Sequence, residues 1–179
     1  MILLLELDQR CGLILSHNLQ FFFVMTATNV LQFGAYEFAG SNPPIEWIVL
    51  EDKQDQMLIT SKYTIESRRF HNTQKWISWK NSDIRRWLND EFLKAAFDEE
   101  EQKLIKMTEL TTIAYEQKEI ATEQCEKTVD QIFLLSLEEV EKYFPDDDSR
   151  RLKLSSSLLS VKERRLGASL PVTKEYCDW

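Results

Sequence analysis

One stretch, SDIRRWLNDEFLKAAF at 82–97, limits what this 179-residue chain can fold into. At about 100° per residue, Ile84, Trp87, Leu88, Phe92, Ala95 and Ala96 fall within one half of a helical wheel. Arg86, Asp90 and Lys94 line the other side as an i,i+4 ladder of alternating sign. Asn81 or Ser82 supplies an N-cap, and Asp83 suits the positive end of the helix dipole. The pattern therefore predicts an amphipathic helix packed on something apolar. Glu91 breaks it, because it falls inside the apolar half. Arg85 and Asn89 sit on the border between the faces, one turn apart.

The apolar partner is a set of short strands. VLQFGAYEF at 30–38 is strand-like, with Gly34 a bulge or turn point. GSNPP at 40–44 is a turn. IEWIVL at 45–50 reads as a buried strand, EDKQDQ at 51–56 as a polar hairpin loop and MLIT at 57–60 as the return strand. An irregular polar connection leads from there to the helix. Asp98 and Glu101 have capping-box spacing and open a second helix. Residues 109–115 form a short strand, and EQKEIATEQCEKTVD at 116–130 is expected as surface loop or weak helix. QIFLL at 131–135 is a strand. Ser136 and Glu139 make a second capping box, whose helix carries Leu137, Val140 and Phe144 on one face and stops at Pro145.

Composition excludes several function classes. The net charge of −8 repels phosphate backbones, so no nucleic-acid partner is expected. MILLLELDQR lacks a basic n-region and Glu6 interrupts its apolar run; FFFVM at 21–25 falls far short of a bilayer span. The reading is thus a soluble, cytoplasmic chain without membrane contact. Residues 1–28 lack a clear period and are set apart as an N-terminal extension, optional or non-native, with Met25 as the candidate natural start. Residues 29–179 form a single domain. Cys11, Cys125 and Cys177 lie far apart, which points to free thiols in a reducing compartment. Neither Cys11 with His17 nor the Asp146–Asp148 run has metal-site spacing, and no cofactor is expected. The four glycines form no phosphate loop, and the serine cluster at 155–157 lacks a nucleophile elbow.

PIEWIVL at 44–50, MLITSKY at 57–63, SDIRRWLNDEFLKAAFDEEEQKLI at 82–105 and QIFLLSLEEVEKYF at 131–144 occur in one order. Together with FGAYEF, this order resembles the bacterial and phage domain-of-unknown-function family 6273, from about Val30 to Trp179. The family pattern continues beyond Tyr176-Cys177-Asp178-Trp179, so the resemblance implies a domain truncated at its C-terminus, with an incomplete sheet open to self-association. It also implies an α+β fold: a twisted, mostly antiparallel sheet with two to four helices. Its architecture would be that of C-type lectins, formylglycine-generating enzymes and phage variable receptor-binding proteins. No catalytic residue carries over.

A non-catalytic module that binds or displays a ligand or protein is the reading favoured here. An enzyme related to formylglycine generation, or a structural part of a phage or surface assembly, are the alternatives. The candidate ligand-binding residues are Trp76 and Trp79, in an alternating W-I-S-W lead-in, and Arg85 and Asn89 on the helix border. Arg85 suits a carboxylate or phosphate, and Asn89 suits orienting a ligand. The plainer reading has the tryptophans as core rim and the Arg85–Asn89 pair satisfying buried loop carbonyls. Trp87 and Trp47 are expected in the core.

Overall fold

The computed structural model describes residues 2–6, 30–37, 40–53, 55–73, 77–114, 124–154 and 176–177. The described strands form three sheets accompanied by short helices, an α+β arrangement as the sequence implies. The principal sheet has five strands in the order β2-β3-β4-β1-β8, all antiparallel to their neighbours. These are β1 (Ile2–Glu6), β2 (Val30–Ala35), β3 (Pro44–Lys53), β4 (Gln56–Ser61) and β8 (Ile132–Phe133). β5 (Tyr63–Thr64) pairs in parallel with β9 (Leu152–Leu154), which pairs with β10 (Tyr176–Cys177). β6 (Thr108–Ala114) and β7 (Gln124–Asp130) make a separate antiparallel hairpin.

Alternation explains β3 and β4. Ile45 and Trp47 of β3, and Met57 and Ile59 of β4, are buried on the core side. Trp47 is fully buried, and its Nε1 donates to the Phe33 carbonyl at 2.7 Å, so its one polar atom is satisfied inside the core. The strands reach further than their apolar residues suggest. Lys53 pairs with Gln56, so most of the polar 51–56 stretch expected as loop is strand. Cross-strand hydrogen bonding holds these residues once the apolar half of the hairpin is in register.

α1 (Asp83–Trp87), a π-helical segment (Leu88–Phe92) and α2 (Leu93–Ala96) run as one continuous helix. The π turn settles the Glu91 anomaly. The buried pair Trp87–Leu88 is followed by Phe92–Leu93, a step of five residues, and then by Ala96–Phe97, a step of four. The Leu93 N–H reaches back to the Leu88 carbonyl, which is the i−5 bond of a π turn. One extra residue in that turn rotates Glu91 out to solvent. It also exposes Ala95, which the regular wheel placed in the apolar half, and buries Leu93, which the wheel left out. The Asp90–Lys94 and Arg86–Asp83 ion pairs line the exposed side.

Gly34 is fixed by the same helix. Its φ is +69°, in the region that favours glycine, and it lies where the β2–β3 register shifts. A Cβ there would come within 2.5 Å of the Phe97 ring and 2.7 Å of the Ala96 carbonyl. The Gly34 N–H donates to Glu101 Oε1 at 3.1 Å. Glu101 belongs to α3 (Glu99–Leu104), and the predicted Asp98–Glu101 capping box is formed. The Ser136–Glu139 box forms too, opening α4 (Leu137–Tyr143).

The polar segment ending at Asp130 departs from expectation. Its second half is strand β7, neither loop nor helix. Thr128 and Asp130 are buried, while Cys125, Lys127 and Val129 face out. The inward residues are polar and the outward valine is apolar, so hydropathy alternation is inverted and gives no strand signal. Pairing with β6 along seven residues overrides the low strand propensity of Glu, Lys and Gln.

β1 lies inside the principal sheet, between β4 and β8, and Leu5 is buried in the core. Residues 2–6 of the stretch read as an extension are thus a strand of the domain. Residues 7–28 of that stretch lie outside the described residues.

Candidate functional site: the polar edge of the central helix

The site is built by a 3₁₀ turn, Trp79–Asn81, that hands the chain to α1. Ser82 is the N-cap. Its buried Oγ accepts from the Arg85 N–H at 3.2 Å and donates to the Trp79 carbonyl at 2.8 Å. This fixes the turn against the helix and aims Trp79 and Arg85 in one direction, towards the end of β7.

Both side chains end on Asp130. Arg85 Nε donates to Asp130 Oδ1 at 2.8 Å, Trp79 Nε1 to Oδ2 at 2.8 Å and Thr128 Oγ1 to Oδ2 at 2.7 Å. Asp130 is only 1% exposed. A carboxylate so buried needs a countercharge and several donors, and it has one cation and three hydrogen bonds. Arg85 Nη1 also donates to the Lys80 carbonyl at 3.1 Å. The guanidinium is thereby locked, with two of its five N–H donors engaged. Its side chain is 27% exposed, leaving the remaining edge open to solvent.

Asn89 plays a different part. Its Oδ1 accepts from the N–H groups of Gln131 at 2.8 Å and Ile132 at 3.0 Å. Its Nδ2 donates to the carbonyls of Ile132 at 2.8 Å and Arg85 at 3.1 Å. The carboxamide thus exchanges a reciprocal N–H···O pair with Ile132, as a residue of an adjacent strand would. It closes the outer edge of β8 and sits in the π segment, whose extra residue brings it there. With two donors and two lone pairs all used, Asn89 has no hydrogen-bonding capacity left for a ligand.

A cleft of about 370 Å³ opens beside this network. Lys80, Asn81 and Ser82 line it from the turn, and Arg85, Arg86, Asn89 and Asp90 from the helix. Arg86 Nη2 donates to Asp83 Oδ1 and Lys94 Nζ donates to Asp90 Oδ1, so those charges are paired. The Lys80 ammonium has no partner among the described residues. The cleft is therefore locally cationic on an acidic protein. On the far side of the helix, Arg68 stacks 4.3 Å above the Trp87 ring and pairs with Glu66, which accepts from the Tyr36 hydroxyl at 2.7 Å. Burial, and then the Glu66 carboxylate, push the Tyr36 phenol up to about 12.

Of the four residues the sequence singled out, Trp79 and Arg85 meet on Asp130, and Arg85 and Asn89 both line the cleft. Trp76 lies outside the described residues. Sequence reasoning missed Asp130, the residue that joins them, because it closes a stretch read as surface loop. The hydropathy pattern did not mark it, because the alternation of Thr128 and Asp130 around Val129 is inverted. Among the described residues no group of three or more His, Cys, Asp or Glu is placed to hold a metal ion. Cys125 is a free, exposed thiol, and no described helix is long and apolar enough to cross a membrane.

The model of one family, Domain of unknown function (DUF6273), matches residues 54–179, more than half of the chain. The chain belongs to this family. The match covers the turn, the helix, the β6–β7 hairpin, Asp130 and the whole cleft. It begins after the FGAYEF and PIEWIVL strands that the motif order also included. No curated protein and no solved structure matches the chain.

Proposed function

We propose that this DUF6273 protein is a non-catalytic binding module that recognises an anionic group, carboxylate or phosphate, in the cleft at the start of the central helix. The observation that carries the proposal is the state of Arg85. Asp130 and the Lys80 carbonyl hold its guanidinium in place, yet among the described residues three of its donors remain for a ligand, beside a Lys80 ammonium that has no partner there. A cation locked before its ligand arrives loses little side-chain entropy on binding. Trp79 and Asn89 serve the site by positioning Arg85 and the helix edge, and Trp76 is proposed as a flanking aromatic. A lectin-like architecture remains part of this reading, on the strength of the antiparallel sheet and its packed helix.

Calorimetric titration with inorganic phosphate and with succinate tests the proposal. One of the two should bind, and Lys80→Ala should weaken it by about tenfold, equivalent to 1.4 kcal/mol. Absence of binding by both anions, or binding indifferent to Lys80→Ala, overturns it.

A further inference from the structure

The principal sheet is assembled from two sources. β4 and β8 flank β1, and both belong to the span that matches the family, whereas β1 precedes it. β1 pairs with β4 over five residues, from Ile2 opposite Thr60 to Glu6 opposite Gln56. On its other side Ile2 and Leu3 face Phe133 and Ile132. Leu5 is 1% exposed and bridges to Ile105. The walls of this gap have supports of their own. β4 is held by β3, and Ile132 of β8 by the Asn89 carboxamide. Neither wall depends on β1 for its other partner. Residues 7–29 connect β1 to β2, and 23 residues fully extended reach roughly 75 Å.

We propose that the gap between β4 and β8 is a strand-acceptor slot, and that Ile2–Glu6 is a separable donor strand. The slot can release it and take the same segment from a second copy of this chain. The occupant is specified by backbone pairing on both sides and by the burial of Leu5, in the manner of strand addition to a sheet. In dilute protein the chain's own strand wins, because its tether keeps its effective concentration high. Exchange between copies becomes visible when that tether is cut. Unlike binding in the cleft, this property rests on no cationic residue, so the two proposals stand or fall separately.

The test uses the full chain carrying a protease site inserted between His17 and Asn18. After cleavage, a fluorescein-labelled peptide MILLLELDQR is added and anisotropy is followed. The labelled peptide is expected to enter one per chain and to displace the original segment. The same peptide with Leu4→Pro should not bind, since proline is excluded from the interior of a strand that is flanked on both sides. Equal binding by the proline peptide, no entry of the unmodified peptide, or unfolding of the cleaved chain each overturns the proposal. Amide exchange on the uncut chain gives a second reading. β1 amides should open in a local event of lower free energy than the β3–β4 amides, and exchange of both through one global opening contradicts a separable strand.

Discussion

Replacing Arg85 by alanine removes the countercharge of the most buried acid in the described structure. Asp130 would keep its bonds from Trp79 and Thr128 but lose the charge-assisted one from Arg85 Nε. Stranding one partner of a fully buried ion pair costs about 3–5 kcal/mol. Arg85 is 27% exposed, so water would enter where its side chain was and part of that penalty is recovered. The expected loss is therefore about 2–3 kcal/mol, below the fully buried range but well above the 0–1 kcal/mol of a surface pair. For a chain of this length, each kcal/mol lowers Tm by roughly 2–4 °C, so a fall of roughly 4–12 °C should appear in a thermal melt followed by circular dichroism. Arg86→Ala is the control. Its partner Asp83 also accepts from the Asn72 N–H, and Arg86 itself is largely exposed, so its removal should cost less than about 0.5 kcal/mol. An Arg85→Ala melt indistinguishable from that of Arg86→Ala would refute the clasp reading of Asp130.

Gly34→Ala should cost at least about 2 kcal/mol in urea denaturation, from a left-handed φ together with a Cβ driven into Phe97 and the Ala96 carbonyl; an unchanged midpoint would mean the β2 bulge relaxes freely. Asn89→Asp keeps the two acceptor bonds but turns carboxylate oxygens toward the Ile132 and Arg85 carbonyls, a loss of roughly 3 kcal/mol by the same assay; a loss under about 1 kcal/mol would show that the β8 edge is not closed by this side chain. Tyr36 should ionise near pH 12, seen as late phenolate absorbance that Glu66→Gln brings down. The folded value lies above the ordinary 10.0, so this contribution to stability is complete below about pH 10 and is lost as pH rises towards 12.

Sequence reading succeeded where local chemistry decides structure. Both capping boxes, the buried Trp47 and Trp87, and the bulge at Gly34 followed from residue type and spacing alone. It failed where a partner distant in sequence decides. The π turn is chosen by the need to bury Leu93 and bring Asn89 to Ile132, and no periodicity rule contains that contact. Glu91 was the visible trace of it. β7 was illegible because its inward residues are Thr128, which donates to Asp130, and Asp130 itself, whose burial depends on donors 45 and 51 residues away. Asn89 bonds the carbonyls of Ile132 and Arg85, and Arg85 bonds that of Lys80. The carboxylate that fixes Arg85 came into view only with the hairpin in place.

The proposed function requires that one edge of Arg85 be committed to the fold and the other offered to a ligand. Side-chain nitrogen NMR of Arg85 during titration with inorganic phosphate tests both halves at once. The Nη signals should shift with saturation while Nε–H, bonded to Asp130, stays unmoved and protected from exchange. An Nε–H that exchanges freely, or Nη signals that ignore the anion, would contradict it.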